Sequence, residues 1–243
     1  MKISLQNKVM LLTGAGGGIG QSLALRGAQL RMKIILFGGN NREKLENTQR
    51  QVLEYAPCEI FPGDLTDFGF LSAAASAAGE LWGGVDVLIN NAGAASNASF
   101  EESSMEEFDK IMTVNVKVPF FLTQKLLPVL KRSETPFIIN IASVTGHAGY
   151  PMQSVYSASK HALLGWTKSL AAECYKENIR VHAVSPGGVY TDMVKVTRPD
   201  LTPDGMIMPE DIADIVEFLL THRTHAVVDE ILVHREGKTP FQV

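Results

Sequence analysis

Between Lys8 and Phe37 an apolar run, a glycine-rich turn, a helical stretch and a second apolar run follow one another. No other feature constrains the fold as tightly. Lys8-Val9-Met10-Leu11-Leu12-Thr13 has the look of a short buried strand. It enters Gly14-Ala15-Gly16-Gly17-Gly18-Ile19-Gly20, then a helical stretch from Gln21 to Leu30, then a second strand from Ile34 to Phe37. Strand, glycine turn, helix and strand within about thirty residues form the unit that dinucleotide-binding folds use. The glycines let backbone approach a pyrophosphate, and the helix start offers free N–H groups and a positive dipole end. A glycine-rich loop with no ligand is the plainer reading, and the position between strand and helix counts against it.

The alternation continues along the chain. Strands are expected near 8–13, 33–37, 58–61, 86–90, 136–142, 179–184 and 228–234. Helices are expected near 18–30, 41–55, 67–80, 106–131, 154–178 and 209–221. This pattern predicts an α/β fold with a parallel sheet and helices on both faces. With 243 residues and 45% apolar composition, the whole of 1–243 reads as one domain. Two strands end in polar, small-residue turns: Asn90-Asn91-Ala92-Gly93, and Ser185-Pro186-Gly187-Gly188-Val189-Tyr190-Thr191-Asp192. Ligands of open parallel sheets bind at the carboxyl ends of strands, so these turns point to one cleft built from several loops.

A second motif carries chemistry. Tyr156-Ser-Ala-Ser-Lys160 puts a phenol and an ammonium on one helix face, and Ser143 lies thirteen residues earlier. The lysine charge is expected to favour phenolate and bring the tyrosine toward the working range of a general acid/base. The Ser143 hydroxyl could bond the same substrate oxygen. Such a set moves a proton on and off an alcohol or carbonyl oxygen. Alone, Tyr-x-x-x-Lys is weak; the glycine turn and the strand-end turns give it context.

Taken together, these segments resemble the short-chain dehydrogenase/reductase family in order and spacing over roughly residues 5 to 235. The matching residues are Thr13-Gly14-x-x-x-Gly18-Ile19-Gly20, Asp64, Asn90-Asn91-Ala92-Gly93, Asn115, Ser143, Tyr156, Lys160, Pro186-Gly187 and Thr191. The resemblance implies a doubly wound Rossmann sheet of about seven strands in the order 3-2-1-4-5-6-7. It implies an NAD(P)-dependent oxidoreductase acting between a secondary alcohol and a ketone. Tyr156 would be the acid/base, and Ser143 would polarise the substrate oxygen. Lys160 would tune the phenol and hold the nicotinamide ribose, and Asn115 would support a water linked to the lysine. It further implies cofactor contacts at Gly14, Gly17, Gly18, Ile19, Gly20, Asn40, Asp64, Leu65, Asn91, Ala92, Gly93, Pro186, Gly187, Val189 and Thr191. Substrate contacts would come from Ser143, Val144, His147, Tyr150, Tyr156, Gly188 and Met193.

Cofactor choice turns on the end of the second strand. NAD-selective folds place an acidic residue there; NADP-selective ones place arginine nearby. Here the corresponding positions are Gly39 and Asn40, and the position before Gly18 is Gly17. Nothing repels a 2′-phosphate, and Arg42 or Lys44 could pair with one, so NADP is favoured over NAD. The stretch from Asp192 to Pro209, the lid in this family, is short, which fits a small substrate. A 3-oxoacyl-type ketoreductase is one form of the activity. Its carrier-bound substrates call for basic residues near the mouth, and Lys131 and Arg132 qualify, but Glu177 stands where a second cation is expected.

Other classes find less support. A net charge of −4 gives no case for nucleic acid or an anionic membrane. No apolar run reaches eighteen residues, and Met1 to Asn7 has no signal-peptide core, so a cytoplasmic protein is expected. Cys58 and Cys174 read as buried thiols. His222 and His225 lack partners spaced to complete a metal site, so no metal is expected. Leu163, Leu164, Trp166 and Leu170 offer apolar surface for a homodimer or homotetramer, or are core. A nucleotide-sensing regulatory protein on the same fold is the alternative function; the combined Asn115, Ser143, Tyr156 and Lys160 argue for the enzyme.

Overall fold

Strand β1 (Val9–Thr13) sends Met10 and Leu12 into one apolar core and Val9 and Leu11 into another. That alternation belongs to a strand buried on both faces. The computed structural model describes residues 3–39, 41–197 and 202–239. Its further strands are β2 (Lys33–Gly38), β3 (Cys58–Pro62), β4 (Val87–Asn90), β5 (Phe137–Ile141), β6 (Arg180–Pro186) and β7 (Glu230–Val233). They form one seven-stranded sheet in the order β3-β2-β1-β4-β5-β6-β7, parallel throughout. This is the expected order. The winding reverses between β1 and β4, which puts the topological switch point, and hence the natural ligand crevice, at the ends of those two strands.

The helices are α1 (Gly18–Gln29), α2 (Arg42–Leu53), α3 (Phe68–Glu80), α4 (Met105–Met112), α5 (Val118–Leu130), α6 (Ser154–Cys174), α7 (Asp192–Thr197) and α8 (Pro209–Thr221). Helices α1, α2 and α8 cover one face through Leu23, Leu45, Val52, Ile212 and Val216. Helices α3 and α5 cover the other through Leu71, Ala74, Leu122 and Leu126. Leu11, Leu12, Ile34, Ile35 and Leu88 have no exposed surface; side chains of that size each contribute roughly 1.5–3 kcal/mol on burial.

Local chemistry fixes the helix starts. The Asn41 side chain accepts the Lys44 N–H at 2.9 Å. Asp67 accepts the N–H groups of Gly69 and Phe70, and Ser104 accepts that of Glu107 at 3.1 Å. In α8 Pro209 opens the helix, and the Asp211 carboxylate accepts the Met208 N–H at 2.7 Å.

Three expectations about helices change. The span 106–131 is two helices joined by a π turn, Thr113–Lys117. The span 154–178 stops at Cys174 and continues as a single 3₁₀ turn, closed by Asn178 in the left-handed region (φ 59°). Within the loop after β6, α7 forms a short helix that the sequence pattern did not announce.

Candidate active site

The carboxyl ends of β1, β2, β5 and β6 border one cleft of about 420 Å³. The glycine turn after β1 closes one side of it. Gly14 has φ 69°, and a Cβ there would stand 2.8 Å from the Ala92 Cα. At Gly20 a Cβ would lie 2.2 Å from the Gly14 carbonyl oxygen, so α1 can start against the turn only with glycine at that position. Asn91 pins the turn from β4: its Nδ2 donates to the carbonyls of Thr13 and Gly14, both at 3.1 Å. The Thr13 hydroxyl accepts the N–H groups of Asn91 and Ala92, both at 3.0 Å. Gly17 opens onto free space, with nothing within 4 Å of where a Cβ would stand, and no side chain caps α1. An uncapped helix start behind an open glycine fits the pyrophosphate of a dinucleotide.

The end of β2 carries no carboxylate. Gly38, Gly39, Asn41 and Lys44 line the cleft there. The Lys44 ammonium reaches Asp192 at 2.8 Å, spanning from the start of α2 to the start of α7. That hydrogen bond holds the Asp192 carboxyl below its ordinary range. Arg42 pairs instead with Glu46 at 2.7 Å.

The inner end of the cleft lies between β5 and α6. Ser143 is buried and caps the turn Val144–Gly146, its hydroxyl accepting the Thr145 N–H at 3.2 Å. Ser143 and Tyr156 line the same end of the cleft, and the Ser143 hydroxyl acts to lower the phenol. Lys160, 4% exposed, lies one turn along α6, with Nζ 5.7 Å from the Tyr156 ring centroid. Its ammonium donates to the Ile141 carbonyl at 2.9 Å. Burial lowers the Lys160 pKa to about 8. Burial also pushes the Tyr156 phenol above its ordinary range, while the Ser143 hydroxyl pulls the other way. The expectation that Lys160 lowers the phenol is therefore not met in the free chain. The ammonium is engaged by Ile141, and loss of water outweighs any other influence on Tyr156. Beside this end lies a second chamber of about 390 Å³, lined by Ala94, Ala95, Glu107, Lys110, Ile111, Asp192 and Met193.

Residues 8–202 match the family model described as short chain dehydrogenase. The chain belongs to the short-chain dehydrogenase/reductase family. It is an oxidoreductase. An uncharacterized oxidoreductase of Staphylococcus aureus strain USA300 is 33% identical over 229 residues, covering 94% of this chain and 97% of the relative. A 3-oxoacyl-[acyl-carrier-protein] reductase of Thermotoga maritima is 32% identical over 238 residues, covering 94% and 96%. A solved structure assigned as an NAD(P)-dependent gluconate 5-dehydrogenase from Beutenbergia cavernae, with NADP bound at low occupancy, superposes with a TM-score of 0.87. It is 26% identical and covers 95% of this chain and 96% of its own.

Of the residues that the family resemblance singles out, Gly14, Gly17, Gly18, Ile19, Asn91, Gly93, Ser143, Tyr156, Lys160, Pro186, Gly187, Val189, Thr191 and Met193 line the cleft. Gly20 and Ala92 stand behind it, packed on the glycine turn. Asp64 is exposed, its carboxylate taken by the N–H and hydroxyl of Thr66 at 2.8 Å each, and Leu65 is buried in the core. Asn40 lies outside the described residues. Asn115 is buried behind the cleft and holds the loop after β4.

The residues expected to contact substrate fall in different places. His147 turns away from the cleft and meets Glu230 on β7 at 2.7 Å. Gly146 before it packs against α6, where a Cβ would stand 2.5 Å from Leu164. Tyr150 is also away from the cleft lining and lies under the Lys238 ammonium. Gly188 faces Met206 and Arg235, and Val144 is buried in the turn after Ser143. Glu107, in the first turn of α4, lines the second chamber as well. The Ile141 carbonyl that anchors Lys160 had no sequence signal, being backbone of an apolar strand.

Proposed function

We propose that this oxidoreductase interconverts a small ketone and the matching secondary alcohol with a nicotinamide cofactor, and that Tyr156 transfers the proton. The observation that carries this reading is the Ser143–Tyr156 hydroxyl pair at the inner end of the cleft, backed by the buried Lys160 ammonium. Gly14, Gly17, Gly18, Asn91, Gly93, Lys160, Pro186, Gly187 and Thr191 would hold the cofactor, which supplies or accepts the hydride. Ser143 hydrogen-bonds the substrate oxygen and Tyr156 gives it a proton during reduction or removes one during oxidation. The raised phenol keeps its proton at neutral pH, which suits the acid role in reduction. The Lys160 charge stabilises the phenolate left behind once substrate closes the site.

NADP is the favoured cofactor over NAD. The end of β2 has no carboxylate, and Lys44 is placed on the cleft wall. The Beutenbergia structure holds NADP. The substrate side is the chamber of small and apolar side chains with Glu107 and Lys110 at its rim, which fits a small substrate. The Thermotoga relative favours a second reading, reduction of a 3-oxoacyl group. Against a large acidic carrier stands the position of Lys131, at the carboxyl end of α5 beside the start of β5, on the sheet end opposite the cleft and paired with Glu177 at 2.9 Å. Buried free cysteines, Cys58 and Cys174, fit a reducing cytoplasm, and no helix among the described residues is long and apolar enough to cross a membrane.

The test is NADPH oxidation with a panel of cyclic ketones, ethyl acetoacetate and acetoacetyl-coenzyme A, run on the wild type and on Tyr156→Phe. Turnover by the wild type, with loss of at least about a hundredfold in the variant but unchanged NADPH binding, supports the reading. Equal turnover in the two proteins sinks it.

A further inference from the structure

Behind the cleft, one buried hydroxyl joins two parts of the site that the sequence keeps apart. The Asn115 amide in the π turn is paired in both directions with the backbone of Ala94: Oδ1 accepts the Ala94 N–H at 2.8 Å, and Nδ2 donates to the Ala94 carbonyl at 2.9 Å. The second Nδ2 hydrogen goes to the Ser159 hydroxyl, also at 2.9 Å. Ser159 in turn donates to the backbone carbonyl of Tyr156 at 2.7 Å. Ser159 has no exposed surface and Asn115 is 1% exposed. Both amide hydrogens of Asn115 and the one hydroxyl hydrogen of Ser159 are thereby used. The Asn115 side chain has no donor left for substrate, water or Lys160. The π turn is what aims it inward; such turns recur at functional sites.

We infer that Ser159 is a positioning residue for the reaction: its hydroxyl fixes the backbone of Tyr156 against the Asn115–Ala94 clamp. The inference rests on the reading of Tyr156 as the acid/base. The clamp sets the turn Gly93–Ala94, which borders the cleft directly in front of Lys160. A Cβ at Gly93 would lie 3.5 Å from the Asn115 Oδ1 and 4.0 Å from the Lys160 Nζ. Gly93 lines the main cleft and Ala94 the adjoining chamber. Through Ser159 the phenol and this wall are held as one body. Without it α6 and the loop after β4 are joined here only by packing, and displacements well under an ångström degrade alignment of reacting groups. Residues one network apart also couple energetically.

Four proteins test this: Ser159→Ala, Ser159→Thr, Asn115→Ala and the Ser159→Ala/Asn115→Ala double variant. Each is assayed on the ketone that the wild type reduces fastest, with Tyr156→Phe as control. Ser159→Ala is expected to lose about ten- to a hundredfold in kcat, while its dissociation constants for NADPH and NADH stay within about twofold of wild type, which also reports an intact fold. The double variant should be no slower than the slower single one. Ser159→Thr, which keeps the hydroxyl, should recover most of the rate. A wild-type kcat in Ser159→Ala, multiplicative losses in the double variant, or equal losses in the alanine and threonine variants each overturns the inference while the role of Tyr156 stands. Normal turnover in Tyr156→Phe removes both.

Discussion

Lys160 lies one helical turn beyond Tyr156, with its ammonium 5.7 Å from the phenol ring and given to the carbonyl of Ile141. Burial brings its pKa to about 8. The charged form is the one that can stabilise a phenolate, so the rate should depend on it. We expect kcat/KM for ketone reduction, which reports the free enzyme, to fall as pH rises through about 8. Lys160→Met should be slow at every pH and lack that limb. A profile that is flat from pH 7 to 9 in the wild type refutes the assignment.

The same lysine should leave a mark on stability. Its pKa in the folded chain lies below the 10.5 of a free lysine, so between about pH 8 and 10.5 the unfolded chain holds more protons. Stability then rises with pH across that window, and the cost of the buried charge is fully present below it. Replacing Lys160 with methionine removes the cost along with the function. The stability of Lys160→Met relative to wild type should be greater at pH 7 than at pH 10, by about 2 kcal/mol. Urea unfolding of the two proteins at both pH values measures this, and an equal difference at the two pH values contradicts it.

Cofactor selectivity should follow the bridge between Lys44 and Asp192, which crosses the cleft at 2.8 Å. Both partners are exposed, and a pair of this kind is worth little by itself, so an incoming phosphate can displace the carboxylate. Lys44→Ala is expected to weaken NADPH binding about tenfold and leave NADH nearly unchanged, as loss of a charge-assisted bond would. Asp192→Asn should strengthen NADPH binding by freeing the ammonium. Gly17 has nothing within 4 Å of a Cβ, so Gly17→Arg should be accommodated and shift preference further toward NADPH. Fluorescence titration with the two cofactors decides the matter. Parallel losses of both in Lys44→Ala would show that the lysine does not distinguish them.

The sheet was legible because most strands, β1, β2, β4 and β5 above all, are apolar runs closed by turn residues, and several helices carry their caps in sequence, as at Asn41, Asp67 and Ser104. The glycine turn was legible for the same local reason. What the pattern could not show depends on contacts distant in the chain. The π turn holds Asn115, which pairs with Ala94, twenty-one residues away. Leu163 and Leu164, which the sequence offered as association surface or as core, are 2% and 3% exposed and pack with Ala142 and Ala183 of the sheet. His147 follows Ser143 closely, yet the direction of its side chain is set by Glu230 on another strand. The 3.6-residue period marks which face of a helix is apolar and not which neighbour covers it.

One stretch of open apolar surface lies on α5 and its neighbours. Phe120 and Phe121 are 42% and 44% exposed, and Phe68 and Phe108 are 40% and 46%. Their rings meet edge to face: Phe120 with Trp166 of α6 at 5.8 Å, Phe120 with Phe121 at 5.3 Å, and Phe121 with Phe68 of α3 at 5.7 Å. Continuous aromatic surface of this kind marks an interface more often than a free face, and a homodimer would bury it against itself. Light scattering of the wild type at micromolar concentration should give a mass of at least twice the 26.4 kDa of one chain. Phe120→Asp places a charge at the centre of the patch without touching the core. It should shift the mass toward one chain while keeping the circular dichroism spectrum. A wild type that is monomeric in the same buffer would leave these rings without the partner argued for here, and a dimer that survives Phe120→Asp would move the interface to another face.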